Sequence, residues 1–120
     1  YLMCEIPSNV IEADEFSPYI DGVSIGGNDL LQLTLGLDRD SELVSHLSDN
    51  NDTAYRRMIS MAINDYKKEG VKVGFCGQQP SDSEEFAQYL VKEGIDSISV
   101  TPDSIVKTIK SVYDIEVIVD

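Results

Sequence analysis

The sequence predicts an α/β domain with parallel strands, because short apolar segments alternate with amphipathic helical patterns along its 120 residues. Four strand-then-helix units follow one another, and glycine or proline marks most of the boundaries between them. A hydrophobic content of 42% is ordinary for a folded domain. Parallel strands joined by helical crossovers bring all their carboxyl ends to one edge of the sheet, so functional groups are expected at that edge.

The first unit begins with the apolar segment Leu2–Ile6, which is interrupted only by Glu5. Pro7 ends this strand, and Ser8 is a predicted N-cap for a helix from residue 9 to about residue 19. The interruption by a carboxylate is the feature of this unit that points to function.

The second unit is the one around which the candidate site is built. A β-branched, apolar strand over residues 23–25 meets the glycine pair Gly26 and Gly27, and a helix follows from Asn28 to Gly36. Asn28 is a predicted N-cap for that helix. Backbone N–H groups at such a turn have little steric cover, so the turn can bind an anion.

The longest helical pattern lies before the third strand and is predicted over residues 54–69, after a polar, acidic loop. Asp52 or Thr53 is its predicted N-cap, and Gly70 ends it. A strand over residues 71–75 follows and leads into Cys76.

The helix after the third strand should begin at a capping box over residues 81–84 and run to Glu93, and Gly94 should end it. A strand over residues 95–100 follows, and Pro102 opens a helix that is predicted to run to about Tyr113. The last residues, 115–120, read as a β-like tail.

Composition excludes several classes of partner. The chain has 22 acidic and 9 basic residues, a net charge of −13 that repels nucleic acid and anionic lipid. No apolar run approaches the roughly 20 residues that a membrane-spanning helix needs. Cys4 and Cys76 form no CxxC motif and no signal peptide precedes them, which predicts reduced thiols in a cytoplasmic protein. Because Tyr1 lies directly beside an apolar strand, we expect a fragment of a longer protein.

Two carboxylates are candidate metal ligands. Glu5 is either an exposed edge residue or an inward-facing carboxylate, and the latter is costly unless it is paired or bound to metal. Asp29 alone is explained by its place in the first turn of a helix. Together they make a plausible Mg²⁺ site, with substrate oxygens and water completing the coordination.

Cys76 and Arg39 each admit two interpretations. Cys76 is either a buried apolar residue or an acid–base thiol, and its position between a strand end and Gly77 favours chemistry. Cys4 should face the other side of its strand from Glu5 and serve a structural role. Arg39 either pairs with its acidic neighbours in a loop or binds phosphate through its guanidinium group.

Four segments resemble the C-terminal region of the phosphoenolpyruvate-utilising enzymes, a family that includes phosphoenolpyruvate synthases, pyruvate phosphate dikinases and enzyme I of the sugar phosphotransferase system. The segments occur in the family's order and are Glu5-Ile-Pro, Ser24-Ile-Gly-Gly-Asn-Asp-Leu-Leu-Gln-Leu-Thr-Leu-Gly-Leu-Asp-Arg-Asp, Gly74-Phe-Cys-Gly-Gln and Gly94-Ile-Asp-Ser-Ile-Ser-Val. Residues 35–40 and 76–81 look most like the synthases. Gly27 and Leu31 depart from the family pattern, where hydroxyl side chains are usual.

The resemblance implies that residues 1–120 are the C-terminal half, about four βα units, of a phosphoenolpyruvate/pyruvate-binding (β/α)8 barrel in a longer multidomain enzyme. In the implied reaction, a phosphohistidine on another domain transfers its phosphoryl group to the enolate of pyruvate, forming phosphoenolpyruvate, and a further domain binds ATP. A gluconeogenic, cytoplasmic enzyme is expected, and this chain alone should be inactive.

The resemblance also assigns roles to residues. Glu5 and Asp29 would bind Mg²⁺, and Cys76 would be the proton donor and acceptor at the methylene carbon. The remaining substrate-binding residues, which share the turn and the loop after it, would be Gly26, Gly27, Asn28 and Arg39, with Glu5 and Asp29 also contacting the substrate.

Other interpretations stay open. A dikinase or an enzyme I fragment would have the same site, and an aldolase or lyase of 2-oxo acids would share the carboxylate pair without needing the thiol. A receiver-like binding module fits the length and acidity of the chain. Such a module requires a lysine at the end of a late strand, and residues 99–102 contain none. Half a barrel would expose two strand edges, so we expect a homodimer.

Overall fold

Four parallel strands form the sheet of the computed structural model, which describes residues 1–37 and 52–119, with side chains through residue 116. The strands are β1 (Leu2–Cys4), β2 (Gly22–Gly26), β3 (Lys72–Cys76) and β4 (Ser97–Ile98). The helices are α1 (Pro7–Ile11), α2 (Ala13–Phe16), α3 (Gly27–Leu35), α4 (Thr53–Lys68), α5 (Gln79–Asp82), α6 (Glu84–Glu93) and α7 (Ile105–Val119). The predicted α/β class with parallel strands is confirmed.

The strands lie side by side in chain order, β1-β2-β3-β4, and every adjacent pair is parallel. A doubly wound sheet reverses its strand order at a switch point, as receiver-like domains do. The described strands show no such reversal. A consecutive order is that of an arc of a (β/α)8 barrel, with which the sheet is consistent.

One face of the sheet is buried beneath helices and the other is not. The register aligns Cys4, Ile25 and Phe75 across three strands, and all three are at most 1% exposed. Side chains alternate along a strand, so their chain neighbours point to the opposite face. There Met3 is 43% exposed and Cys76 is exposed as well. A barrel arc would turn this second face, called here the open face, toward the barrel interior.

Helix α4 supplies the largest share of the helical layer. Its buried residues recur three and four positions apart and are Tyr55, Ile59, Ala62, Ile63 and Tyr66. Asp52 caps the helix by accepting a hydrogen bond from the backbone N–H of Tyr55 at 3.0 Å, as one of the two predicted caps. No helix in the described ranges is long and apolar enough to cross a bilayer.

The prediction of one continuous first helix is wrong. Residues 9–19 are not one helix but α1, α2 and a 3-10 turn over Ser17–Tyr19. Pro18 has no N–H group to continue an α-helix, and the Ser17 hydroxyl donates to the carbonyl of Ala13 at 2.6 Å. Ser8 is not the N-cap, because Pro7 is already the first helical residue.

The part of the chain after β3 also differs from its prediction. Ser83, not Ser81, caps α6, with its hydroxyl accepting from the N–H of Phe86 at 3.2 Å, and strand β4 is shorter than predicted. The predicted β-like tail is wrong, because α7 continues to Val119. Ser111 and Ile115, one helical turn apart, are buried in a helix that packs on α6, so packing outweighs the strand propensity of the β-branched residues.

Truncating Ile59 tests the packing of α4 on the sheet. Ile59 is fully buried, so Ile59→Ala should lower the free energy of unfolding by about 2–5 kcal/mol through lost burial and a cavity. Met61 is 41% exposed on the same helix, and Met61→Ala should cost far less. Equal shifts of the two variants in urea unfolding would contradict this arrangement.

Candidate active site

Three residues form a row across the carboxyl ends of the first three strands, on the open face. Gly26 is paired with Cys76, and Glu5 directly follows Cys4, the partner of Ile25. Adjacent strands lie about 4.8 Å apart. Glu5 and Cys76 lie on either side of Gly26, so the distance between their backbones is roughly twice the strand spacing. Because it is glycine, residue 26 places no side chain of its own between the carboxylate and the thiol.

Gly26 is tightly approached by Glu5. An ideal Cβ atom on Gly26 would lie 3.0 Å from Cβ and 3.0 Å from Oε2 of Glu5. A methyl group at position 26 would therefore push against the Glu5 side chain and against Cε of Met3, which lies 3.2 Å from the same position. The glycine is needed here for the close approach of side chains, not for an unusual backbone angle.

The carboxyl groups of Glu5 and Asp29 contact each other. Partial burial is the main reason that the pKa of Glu5 is raised, and a hydrogen bond with Asp29 and the charge of Asp29 raise it further. Two carboxylates in contact repel unless a proton or a cation lies between them. The two charges together would therefore favour a bound proton or cation.

Asn9 fixes the loop that carries Glu5. Its side-chain oxygen accepts from the backbone N–H groups of Glu5 and Ile6, at 3.4 Å and 3.3 Å. Its own carbonyl accepts from the hydroxyl of Tyr66 on α4. Asn9 is 8% exposed, so this buried amide anchors the end of β1 to the helical layer.

Two carboxylates would suit a metal ion such as Mg²⁺, which also takes water and substrate ligands, better than a metal ion whose ligands all come from the protein. Among the described residues, no group of three or more histidine, cysteine, aspartate or glutamate side chains could enclose an ion. Mg²⁺ commonly takes one or two carboxylates and completes its octahedron with water and substrate oxygens. Glu5 and Asp29 provide that donor set.

The start of α3 faces the same edge of the sheet. Gly26 occupies the N-cap position and has no side chain that could accept a hydrogen bond. The N–H groups of the first turn therefore receive no bond from a capping side chain. The predicted capping role of Asn28 is wrong. Asn28 lies inside the first turn, and its Oδ1 accepts a hydrogen bond from Nε2 of Gln79 at 2.9 Å.

Gly27 is enclosed by three side chains. An ideal Cβ atom there would overlap the ring of Phe75 and lie 2.8 Å from both Oε1 of Gln79 and the hydroxyl of Tyr55. A hydroxyl side chain has no room at this position. The neighbouring groups thus account for glycine at position 27.

The two thiols have different environments. Cys76 is exposed at the end of β3, whereas Cys4 is fully buried on the helical face. Burial, with a smaller contribution from the charge of Glu5, raises the pKa of Cys4 to about 12. Cys76 is thus the thiol that a bound molecule could reach, and Cys4 is packed in the core as expected.

Most of the predicted site residues lie together. The described structure brings six of them to one edge of the sheet, namely Glu5, Gly26, Gly27, Asn28, Asp29 and Cys76. Arg39 lies outside the described residues. Sequence reasoning missed the supporting roles of Asn9, Tyr55 and Gln79, for which the sequence gives little signal beyond polar residues near strand ends.

The sequence of the chain matches a protein-family model. Residues 1–117 match the model of the PEP-utilising enzyme, PEP-binding domain. The chain belongs to this family, as its sequence motifs predict.

Curated relatives agree with this assignment. The chain is 60% identical over 116 residues to a phosphoenolpyruvate synthase of Synechocystis and 57% identical over 116 residues to one of Aquifex aeolicus. It is 53% identical over 115 residues to one of Escherichia coli. These alignments cover 96–97% of this chain but only 14% of each relative, so the chain spans about a seventh of their length.

Replacing Glu5 tests the carboxylate contact. Because folding raises the pKa of Glu5, the favourable contribution of its protonated form is present at low pH and is lost as pH rises through that raised pKa. In metal-free buffer, Glu5→Gln should therefore unfold at a higher urea concentration than the unaltered chain at pH 7, with the gain shrinking toward pH 4. Exposed Glu12→Gln is the control. A gain that is equal at both pH values would contradict the contact.

Proposed function

We propose that the chain is the phosphoenolpyruvate/pyruvate-binding part of a phosphoenolpyruvate synthase, an enzyme of the pyruvate, water dikinase type. The observation that carries the proposal is the row of Glu5, Gly26 and Cys76 at the strand ends, with Asp29 close enough to Glu5 to raise its pKa. The relatives, which are phosphoenolpyruvate synthases, support the same activity. The whole protein would transfer a phosphoryl group to pyruvate, in the cytoplasm, as a step of gluconeogenesis.

Glu5 and Asp29 are the residues that would hold Mg²⁺. Their contact brings two negative charges together, which opposes the binding of an anionic substrate unless a cation lies between them. When bound, Mg²⁺ would neutralise the substrate carboxylate and the developing enolate oxygen. The carboxylates thereby orient the substrate over the row formed by Glu5, Gly26 and Cys76.

Cys76 would move the proton at the methyl carbon of pyruvate. As a thiolate it removes a methyl proton, and the electron pair of that C–H bond becomes the double bond of the enolate. In the reverse direction the thiol returns the proton to the same carbon. Its exposure at the end of β3 gives a substrate access to the sulfur atom.

The phosphoryl transfer would use groups outside this chain. The enolate oxygen forms a bond to phosphorus as the bond between phosphorus and a histidine nitrogen of another domain breaks. The N–H groups at the start of α3 would stabilise the anionic oxygens, and Arg39 would bind the phosphate. A separate domain would bind ATP and phosphorylate the histidine.

The open face supports the barrel as the parent architecture. Small residues, polar residues and Met3 occupy a face that no described helix covers. Four further βα units of the parent chain would close the sheet into a (β/α)8 barrel and complete the site. The isolated chain would leave its sheet edges unpaired, and we expect it to form a homodimer and to lack activity.

Replacing Cys76 in the full-length enzyme tests the proton-transfer role. Cys76→Ser should lower kcat for phosphoenolpyruvate formation by about 10²–10⁴-fold, because serine is a much weaker base at neutral pH. Cys4→Ala, which alters the buried thiol, should keep turnover near the wild-type value below its unfolding temperature. Wild-type kcat in Cys76→Ser would contradict the proton-transfer role.

A further inference from the structure

Gln79 is buried although it is an amide residue beside an exposed strand end. It is the first residue of α5, three positions after Cys76, and only 5% of its side chain is exposed. Its neighbour Gln78 is exposed. A buried glutamine is costly unless its polar atoms are used, so its contacts indicate why it is there.

The amide of Gln79 holds the side chain of Asn28. Nε2 of Gln79 donates to Oδ1 of Asn28 at 2.9 Å, which links the segment after β3 to the first turn of α3. The two residues are 51 positions apart in the chain. This bond therefore joins two parts of the candidate site that the backbone does not join locally.

Two glycines make room for this amide. An ideal Cβ atom on Gly27 would lie 2.8 Å from Oε1 of Gln79, and one on Gly77 would lie 2.7 Å from the same oxygen. Within the described part of the chain, Oε1 itself has no hydrogen-bond partner. The side chain is thus confined by close packing on both sides, and its donor group is the part that makes a directed contact.

The bond determines which way Asn28 presents its amide. The oxygen and the NH2 group lie on opposite sides of the amide carbon, so an oxygen held by Gln79 turns the NH2 donors away from Gln79. We propose that Gln79 is a positioning residue that fixes Asn28 with its NH2 group available to a carboxylate or enolate oxygen of pyruvate. This inference rests on the proposed function, since it assigns the ligand of Asn28 in that reaction.

A role in positioning differs from a role in stability. Removing a buried amide together with its unpaired oxygen, and replacing it by an apolar side chain of similar shape, can leave stability nearly unchanged. Gln79→Met should therefore fold normally but leave Asn28 able to rotate. A purely structural Gln79 would show the opposite result, with a lower unfolding temperature and wild-type kinetics.

The test is a double-mutant cycle in the full-length enzyme, with kcat and KM for pyruvate as readouts. Gln79→Met, which removes the donor, should lower kcat/KM by about tenfold or more. Asn28→Ala should lower kcat/KM further. In the Asn28→Ala background, Gln79→Met should cost almost nothing, because its effect acts through Asn28.

A matched control removes an amide that has no contact with Asn28. Gln88 donates to the carbonyl of Ser111 at 3.4 Å between α6 and α7, and Gln88→Met should leave kcat/KM unchanged. Wild-type kinetics in Gln79→Met, or additive losses in the double variant, would overturn the inference.

The experiments distinguish a failure of this inference from a failure of the proposed function. If the unaltered enzyme and Gln88→Met form no phosphoenolpyruvate, the proposed function fails, and the assignment of pyruvate to Asn28 fails with it. The side-chain NH2 resonances of Asn28 in ¹⁵N-labelled protein still decide whether Gln79 holds this residue. Resonances that Gln79→Met leaves unchanged would overturn that positioning role as well.

Discussion

The contact between the Glu5 and Asp29 carboxyl groups is the interaction on which the rest of the site depends. Partial burial and the neighbouring acid together raise the pKa of Glu5, so the pair favours an added proton or cation. The surrounding structure holds the pair in place. Asn9 binds the backbone at Glu5, and the first turn of α3 carries Asp29. The fold thus places like charges together where a cation is expected.

The two faces of the sheet have different roles, since one packs against the helices and the other carries the candidate site. The helical face buries Ile25, Phe75 and their neighbours, and this burial holds the strands in register. Because side chains alternate, the same register aligns Glu5, Gly26 and Cys76 on the open face. A one-residue slip of β3 would turn Cys76 into the helical layer and remove the thiol from the row. Packing on one face therefore sets the geometry of the chemistry on the other.

Much of the fold could be predicted from the sequence, because the strand runs and the amphipathic pattern of α4 depend on local periodicity. The predictions were wrong where tertiary contacts decide. Asn28 looked like an N-cap, but Gln79 binds its side chain, a contact between residues 51 positions apart. The β-branched tail forms part of a helix because α7 packs on α6. Strand-end positions identified Glu5 and Cys76, whereas burial of Gln79 could be seen only in the folded chain.

The central claim is that Glu5 and Asp29 form a divalent-cation site. The most direct measurement is a titration of Mn²⁺, a substitute for Mg²⁺ with an electron paramagnetic resonance signal, into the full-length enzyme without nucleotide. We predict that the double variant Glu5→Gln and Asp29→Asn loses a binding site that Cys76→Ser retains, because only the carboxylates supply ligands. Equal Mn²⁺ binding by the double variant and the unaltered enzyme would contradict the account.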